Sequence, residues 1–248
     1  MDWIILIAAA FAAGVLNTIA AGGTFLTFPA LVFAGLPPVA ANATSAVAVL
    51  PGYLSGTIGF ARELRTIKRA LILRLTFWTL IGGLVGAGLL MVSSNAAFSA
   101  IVPFLLLAAT LIFVFAAPLR TWTSNNARTV THYGAIGLII VSVYGGYFNG
   151  GLGIVLLALF SMWGMSNIHQ MNGLKNWLSF ALFAISVLAF ALGGFVPWPE
   201  AIVMAIAATI GGYAGAPIAK ALPSSAVRLI VIAVGFGMSA IFFARQFL

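Results

Sequence analysis

The string Ile81-Gly82-Gly83-Leu84-Val85-Gly86-Ala87 recurs as Ile210-Gly211-Gly212-Tyr213-Ala214-Gly215-Ala216, with five of its seven residues unchanged and an offset of 129. Gly35 and Gly164 stand at the same offset of 129, Asn42 and Asn172 at 130, and Asn17 and Asn149 at 132. Offsets that drift so little along most of the chain mark an internal duplication, the ground plan of many secondary transporters. Repeat 1 covers about residues 3–118 and repeat 2 about 133–246, and the polar stretch Arg120 to His132 lies between them.

Around these strings the chain is apolar. Of 248 residues 63% are hydrophobic and 6% charged, against about 25% charged in a soluble domain, and the mean hydropathy is +1.18. Eleven basic and three acidic side chains cannot cover a folded unit of this size, so its outer face must meet lipid. A water-soluble globular protein is thereby excluded. At ~20 residues per span the length admits about seven or eight spans with short loops, a single membrane domain over residues 1–248.

The net charge of +8 would suggest nucleic acid in a soluble protein. Here Arg62, Arg65, Lys68, Arg69 and Arg74 share one connection between apolar segments, as the positive-inside rule describes, and no nucleic-acid partner is expected. Without cysteine there is no disulfide or thiolate metal site. The two histidines and three acids are scattered, so no metal or other cofactor is expected. Ile4 to Gly14 follows no basic region, unlike a signal peptide, and is expected to stay as part of the first helix.

Uncharged length predicts helices over Trp3 to Ala21, Ala40 to Phe60, Ala70 to Met91, Ala97 to Ala117, Tyr133 to Phe148, His169 to Leu192, Ala201 to Ala219 and Val227 to Phe243. Thr24 to Gly35 and the piece ending at Gly164 are too short to span. The connection Arg62 to Arg74 is strongly basic, whereas its counterpart Gly193 to Glu200 has no basic residue, so the two lie on opposite sides. That needs an odd number of crossings between them, which follows if Tyr133 to Gly164 is a re-entrant hairpin. The expected fold is therefore an all-α polytopic membrane protein of two inverted repeats, each a broken or re-entrant helix pair plus three spanning helices. Both termini are then outside, with Arg120, Arg128, Lys220 and Arg228 inside. The alternative is eight plain crossings in two parallel repeats.

Lys175 is the most informative side chain, because it lies within a span with no acid nearby; Asp2, Glu63 and Glu200 all fall at ends or loops. An ammonium in the bilayer faces a pathway or a partner, unless its stem snorkels to the interface. Asn172, Lys175, Asn176 and Ser179 make one helix face polar, and His169 at its start is the candidate proton carrier. Asn17 with Gly22 and Gly23, and Asn149 with Gly150 and Gly151, interrupt the two halves where discontinuous helices place a substrate. Each break starts a short helix whose free N–H groups and positive dipole end suit an anion. Asn42, Thr44 and Ser45 are the first-half counterpart of the Asn172 region; threonine and serine often bond only their own helix carbonyls, so Asn42 is the stronger candidate. The spacings Gly52/Gly56, Gly82/Gly86 and Gly211/Gly215 point to close helix packing.

The run Asn17-Thr18-Ile19-Ala20-Ala21-Gly22-Gly23-Thr24-Phe25-Leu26-Thr27-Phe28-Pro29, with Ala34-Gly35-Leu36-Pro37 and Ala41-Asn42-Ala43-Thr44-Ser45, resembles the first signature of the sulfite exporter TauE/SafE family. Tyr144-Gly145-Gly146-Tyr147-Phe148-Asn149-Gly150-Gly151-Leu152-Gly153-Ile154, with His169-Gln170-Met171-Asn172-Gly173-Leu174-Lys175-Asn176, is similar to its second. The resemblance spans both halves and implies a permease for sulfite, sulfonates or related small organic anions in the inner cell membrane. Asn149 stands where the family pattern calls for a small residue. The expected function is secondary transport of such an anion by alternating access, with the lipid bilayer as the other partner and either a monomer or a homodimer as the assembly. A passive anion channel is the alternative. A membrane-embedded enzyme is disfavoured, since no carboxylate pair, Ser-His-Asp set or metal cluster lies within the spans.

Overall fold

The computed structural model describes residues 3–20, 23–125, 134–221 and 224–247, which are helical with short connections and contain no strand. In the first half, α1 (Trp3–Ala20) and the short α2 (Thr24–Phe33) precede α3 (Pro38–Gly59), a five-residue α4 (Ala61–Arg65), α5 (Arg69–Val92) and α6 (Asn95–Asn125). In the second, α7 (Ala135–Tyr147) and α8 (Leu152–Met162) precede α9 (Ile168–Leu192), α10 (Trp198–Ala221) and α11 (Ser224–Phe247). The boundaries have local causes. Pro37 and Pro38 open α3, where a missing N–H costs nothing. Ser94 Oγ accepts from Ala97 N at 3.1 Å beside the α6 start, and Asn167 Oδ1 caps α9 by accepting from His169 N and Gln170 N at 3.0 and 3.2 Å. Two features exceed the sequence reading: α4 folds inside the basic connection, and α6 runs past Ala117 into the polar stretch.

Among the described residues three stretches, Arg69–Val92, Asn95–Ile112 and Ile168–Leu192, are long and apolar enough to cross a membrane. Phe77, Leu84 and Ile140, inside helices, are 50–63% exposed, an outer surface that water would not stabilise and lipid does. The chain is an all-helical membrane protein.

Helix starts define the repeat: α2 and α8 begin 128 residues apart, α3 and α9 130, and α5 and α10, like α6 and α11, 129. Helices α1 and α7 begin 132 apart, the offset that also separates Asn17 from Asn149. The tight contacts come in exchanged pairs: α1 packs on α10 as α7 does on α5, and α3 packs on α10 as α9 does on α5. The corresponding helices α3 and α9 touch each other, as do α6 and α11.

Residue pairings give the directions. Along α3 and α9, Tyr53 stacks on Phe183 at 5.2 Å and Phe60 on His169 at 6.4 Å, with Gly56 against Asn176 between them, so the two run antiparallel. Ser239 donates to Pro103 O at 3.0 Å while Gly235 faces Thr110, so α6 and α11 are antiparallel too. By contrast Gly82 faces Ile139 and Ser142 where Gly86 faces Val143 and Tyr147, which makes α5 and α7 parallel. Trp177 Nε1 donates to Thr76 Oγ1 at 2.8 Å and Ser186 Oγ to Gly83 O at 3.4 Å, so α5 and α9 are parallel as well. Helices α7 and α9 thus point the same way, and α8 between them turns the chain back. The glycines allow these approaches: a Cβ would lie 2.2 Å from Val143 O at Gly86 and 2.0 Å from Phe11 O at Gly211.

Candidate anion cavity

A cavity of about 380 Å³ lies between α1, α3, α9 and α10. Its walls are Gly14 and Asn17 from α1, Val49, Gly52, Tyr53 and Gly56 from α3, Asn172, Lys175 and Asn176 from α9, and Ala208, Thr209 and Gly212 from α10. Gly59 and Phe60 border it next to α4, which carries Arg62 and Arg65. Pro51 sits inside α3 beside this space; it removes one backbone hydrogen bond where the helix flanks the cavity.

Lys175 is 6% exposed, and its ammonium donates to Asn172 Oδ1 at 3.2 Å. A side chain so enclosed, at a cavity wall, does not reach the interface by snorkelling. An ammonium has three donors, and no acidic residue lines the cavity. Its charge is therefore offset by amide dipoles alone, an arrangement that favours an incoming anion. Asn176 reaches the cavity because α3 has no side chain at Gly56, where a Cβ would stand 2.7 Å from Asn176 Nδ2. Asn17 Oδ1 accepts from Gly23 N at 2.9 Å, so the buried start of α2 is tied to α1 by one cavity residue. Gly22 lies outside the described residues.

The other expected site residues gather at the second break. Asn42 Nδ2 donates to Tyr147 O and Asn149 Nδ2 to Asn42 O, each at 3.1 Å. Gly150 O accepts from Tyr144 OH, and Gly151 N, at φ +73°, donates to Thr24 Oγ1 at 3.4 Å. Ser45 Oγ pairs with Thr27 Oγ1 at 2.6 Å, while Thr44 donates to Ala40 O of its own helix. Phe28 packs on Phe98, Phe148 and Phe242 with ring centroids 5.7–6.1 Å apart, so aromatic rings fill this region. His169 is exposed at the start of α9 and does not line the cavity. Sequence reasoning missed Tyr53 and Thr209, for which it had no signal among many aromatic and hydroxyl residues. It read Gly52 and Gly56 only as packing, whereas a Cβ on Gly52 would have no atom within 4 Å.

A single buried cation and three amide side chains thus meet in one cavity. The family model for the sulfite exporter TauE/SafE matches residues 6–242. The chain is 30% identical over 247 residues to a probable membrane transporter protein of Haemophilus influenzae, covering 95% of this chain and 92% of that one. It is 26% identical to the probable membrane transporter protein ORF9 of a Sinorhizobium species (94% and 89% covered). With the probable membrane transporter protein YfcA of Escherichia coli K12 it shares 27% identity (93% and 86% covered). No solved structure matches it. With two helix breaks, a lysine-bearing cavity and a family match over nearly its whole length, the chain belongs to the sulfite exporter TauE/SafE family of membrane transporters.

Proposed function

We propose that this single membrane domain is a secondary transporter of a small anion, sulfite or an organosulfonate, across the cell membrane by alternating access. The observation that carries this reading is Lys175, a buried ammonium with a neutral partner in a cavity free of acids. Asn172, Asn176 and Asn17 supply donors around it, and the apolar wall of Val49 and Ala208 accommodates an organic tail. The test is uptake of radiolabelled sulfite and of a panel of sulfonates into proteoliposomes. Saturable anion flux supports the carrier, flux linear in concentration makes it a channel, and cation flux independent of any anion overturns the proposal.

The two halves are read as inverted repeats, each a re-entrant helix pair plus three spans. The antiparallel contacts of α3 with α9 and of α6 with α11 support this, because like-oriented repeats related by an axis along the membrane normal would make corresponding helices parallel. The cavity borders the basic α4 end of α3, and the aromatic cluster around Phe28 closes the other end. By the positive-inside rule the cavity then faces the cytoplasm. The chain has no native cysteine, so single cysteines test this directly. One replacing the exposed Thr66 is expected to resist an impermeant thiol reagent outside intact cells, and one replacing the exposed Pro199 to react. The reverse labelling would turn the molecule over, and equal labelling of both would remove the inversion.

A further inference from the structure

The cavity has two chemically different ends. Along α3 and α9, Gly56 faces Asn176 and Phe60 stacks on His169, so Asn172, Lys175 and Asn176 lie at the level of Gly56 to Phe60, beside α4. Asn176 is 8% exposed and makes no hydrogen bond within the protein, and Lys175 spends one N–H, on Asn172 Oδ1. The unspent donors of α9 that line the cavity therefore belong to this end. Gly52 lies one helical turn from Gly56, ~6 Å farther from α4. Here the wall is Gly52, Val49 and the ring of Tyr53, which is held by its stack on Phe183 at 5.2 Å. The two other hydroxyls that line the cavity are turned back on their own helices. Ser55 Oγ donates to Gly52 O at 2.9 Å and Thr209 Oγ1 to Ala205 O at 2.7 Å. Apart from the Tyr53 hydroxyl, the end at Gly52 thus asks nothing polar of a ligand.

Neither backbone nor packing requires glycine at position 52. The residue lies within α3 and not at a positive φ. A Cβ there would have no atom within 4 Å, whereas at Gly14 and Gly56 the neighbouring helix stands within 3 Å. Glycine inside a helix is less stable than alanine, so the position forgoes stability, and what it provides is room in the cavity. The volume of about 380 Å³ falls in the range of ~300–1,000 Å³ that small organic ligands fill, far more than a bare sulfur oxyanion occupies.

We propose that Gly52 is the specificity-determining position of the carrier: it opens a tail pocket one turn from the Lys175 end, and the cargo it selects is an organosulfonate with a short apolar chain, not bare sulfite. This narrows the anion-carrier reading and rests on it. The anionic head lies against Lys175 and Asn176, and the chain runs past Tyr53 toward Gly52 and Val49. Each methylene buried there strengthens binding about fourfold.

The test is uptake of sulfite and of methane-, ethane- and propanesulfonate by the full-length protein in proteoliposomes. The KM is expected to fall about fourfold per added carbon, with sulfite the weakest. Gly52→Ala puts one methyl into the pocket and is expected to raise the KM ratio of propanesulfonate to methanesulfonate about fourfold, and the larger Gly52→Val about tenfold. The unfolding midpoint of Gly52→Ala is expected to hold or rise, and a lowered one would show that packing needs the glycine and overturn the pocket. A loss of maximal rate shared equally by every anion, with the KM ratio unchanged, makes Pro51 and Gly52 a hinge and overturns the proposal. Saturable uptake with a wild-type KM that ignores chain length, or is lowest for sulfite, leaves the anion carrier standing without the pocket. Absence of saturable uptake for every anion removes the carrier reading, and the pocket with it.

Discussion

Lys175→Gln is expected to abolish anion uptake in proteoliposomes while leaving the protein folded and inserted. Truncating one partner of a buried charged contact costs about 2–5 kcal/mol, roughly thirtyfold or more in affinity. The cavity offers no second cation to take over among its lining residues. Lys175→Arg is expected to keep part of the activity, since the charge survives while the planar guanidinium changes the geometry at Asn172. The effect on stability has the opposite sign. An ammonium held at 6% exposure by one amide oxygen is poorly solvated, so the neutral glutamine should raise the unfolding midpoint when no anion is present. A variant both inactive and destabilised would show that Lys175 holds the helices together, and unimpaired uptake would remove it from the binding site. Thermal unfolding and flux on the same preparation distinguish these outcomes.

Gly86→Ala is expected to be among the most destabilising single-methyl changes in the chain. The new Cβ would lie 2.2 Å from Val143 O and 2.8 Å from Tyr147 N, both backbone atoms of α7, so no side chain can turn aside and the two helices must separate. Overpacking of this kind costs about 3 kcal/mol, which for a chain of this size lowers the unfolding midpoint by roughly 6–12 °C. Gly88→Ala, two residues along α5, is the control. Nothing lies within 4 Å of its Cβ position, and alanine is the better helix former by about 0.5–1 kcal/mol, so the midpoint should hold or rise. Equal behaviour of the two variants in thermal unfolding would mean that α5 and α7 do not approach as closely as described.

The repeated glycine string that first marks the duplication is also what this contact uses. Gly82, Gly86 and Gly211 carry the parallel packing of corresponding helix pairs, and so small residues at four-residue spacing were legible both as a repeat and as packing. Apart from α4 and the end of α6, the helix boundaries were legible within a few residues because long uncharged stretches, prolines and capping asparagines act locally. Asn17 and Asn149 stand 132 apart, as do the starts of α1 and α7, whereas α2 and α8 start 128 apart.

Of the candidate site, the face of α9 with Asn172, Lys175 and Asn176 could be read directly, because a charge within an apolar span has few structural explanations. Sequence could not divide the polar residues between two places. Asn42 and Asn149 resembled Asn172 and Asn17 in type and setting, yet they lie in the closed half, bonded to each other's backbone neighbourhood and away from Lys175. Nor could it find Tyr53, Thr209 or the opening at Gly52, which become cavity walls only because α1 and α10 pack across α3.

By itself the sequence determined the solvent, the helices, the duplication and the sign of the one buried charge, because hydropathy, length and charge are properties of residues and their near neighbours. Which half encloses a cavity and which half is closed was decided only in three dimensions. The repeats share helix starts to within four residues, and what distinguishes them is the set of side chains that meet across helices more than a hundred positions apart. At corresponding places Ser45 stands for Lys175, Ser179 for Val49 and Thr79 for Ala208. Those differences have no meaning along the chain. They acquire one where α1, α3, α9 and α10 leave room around an ammonium.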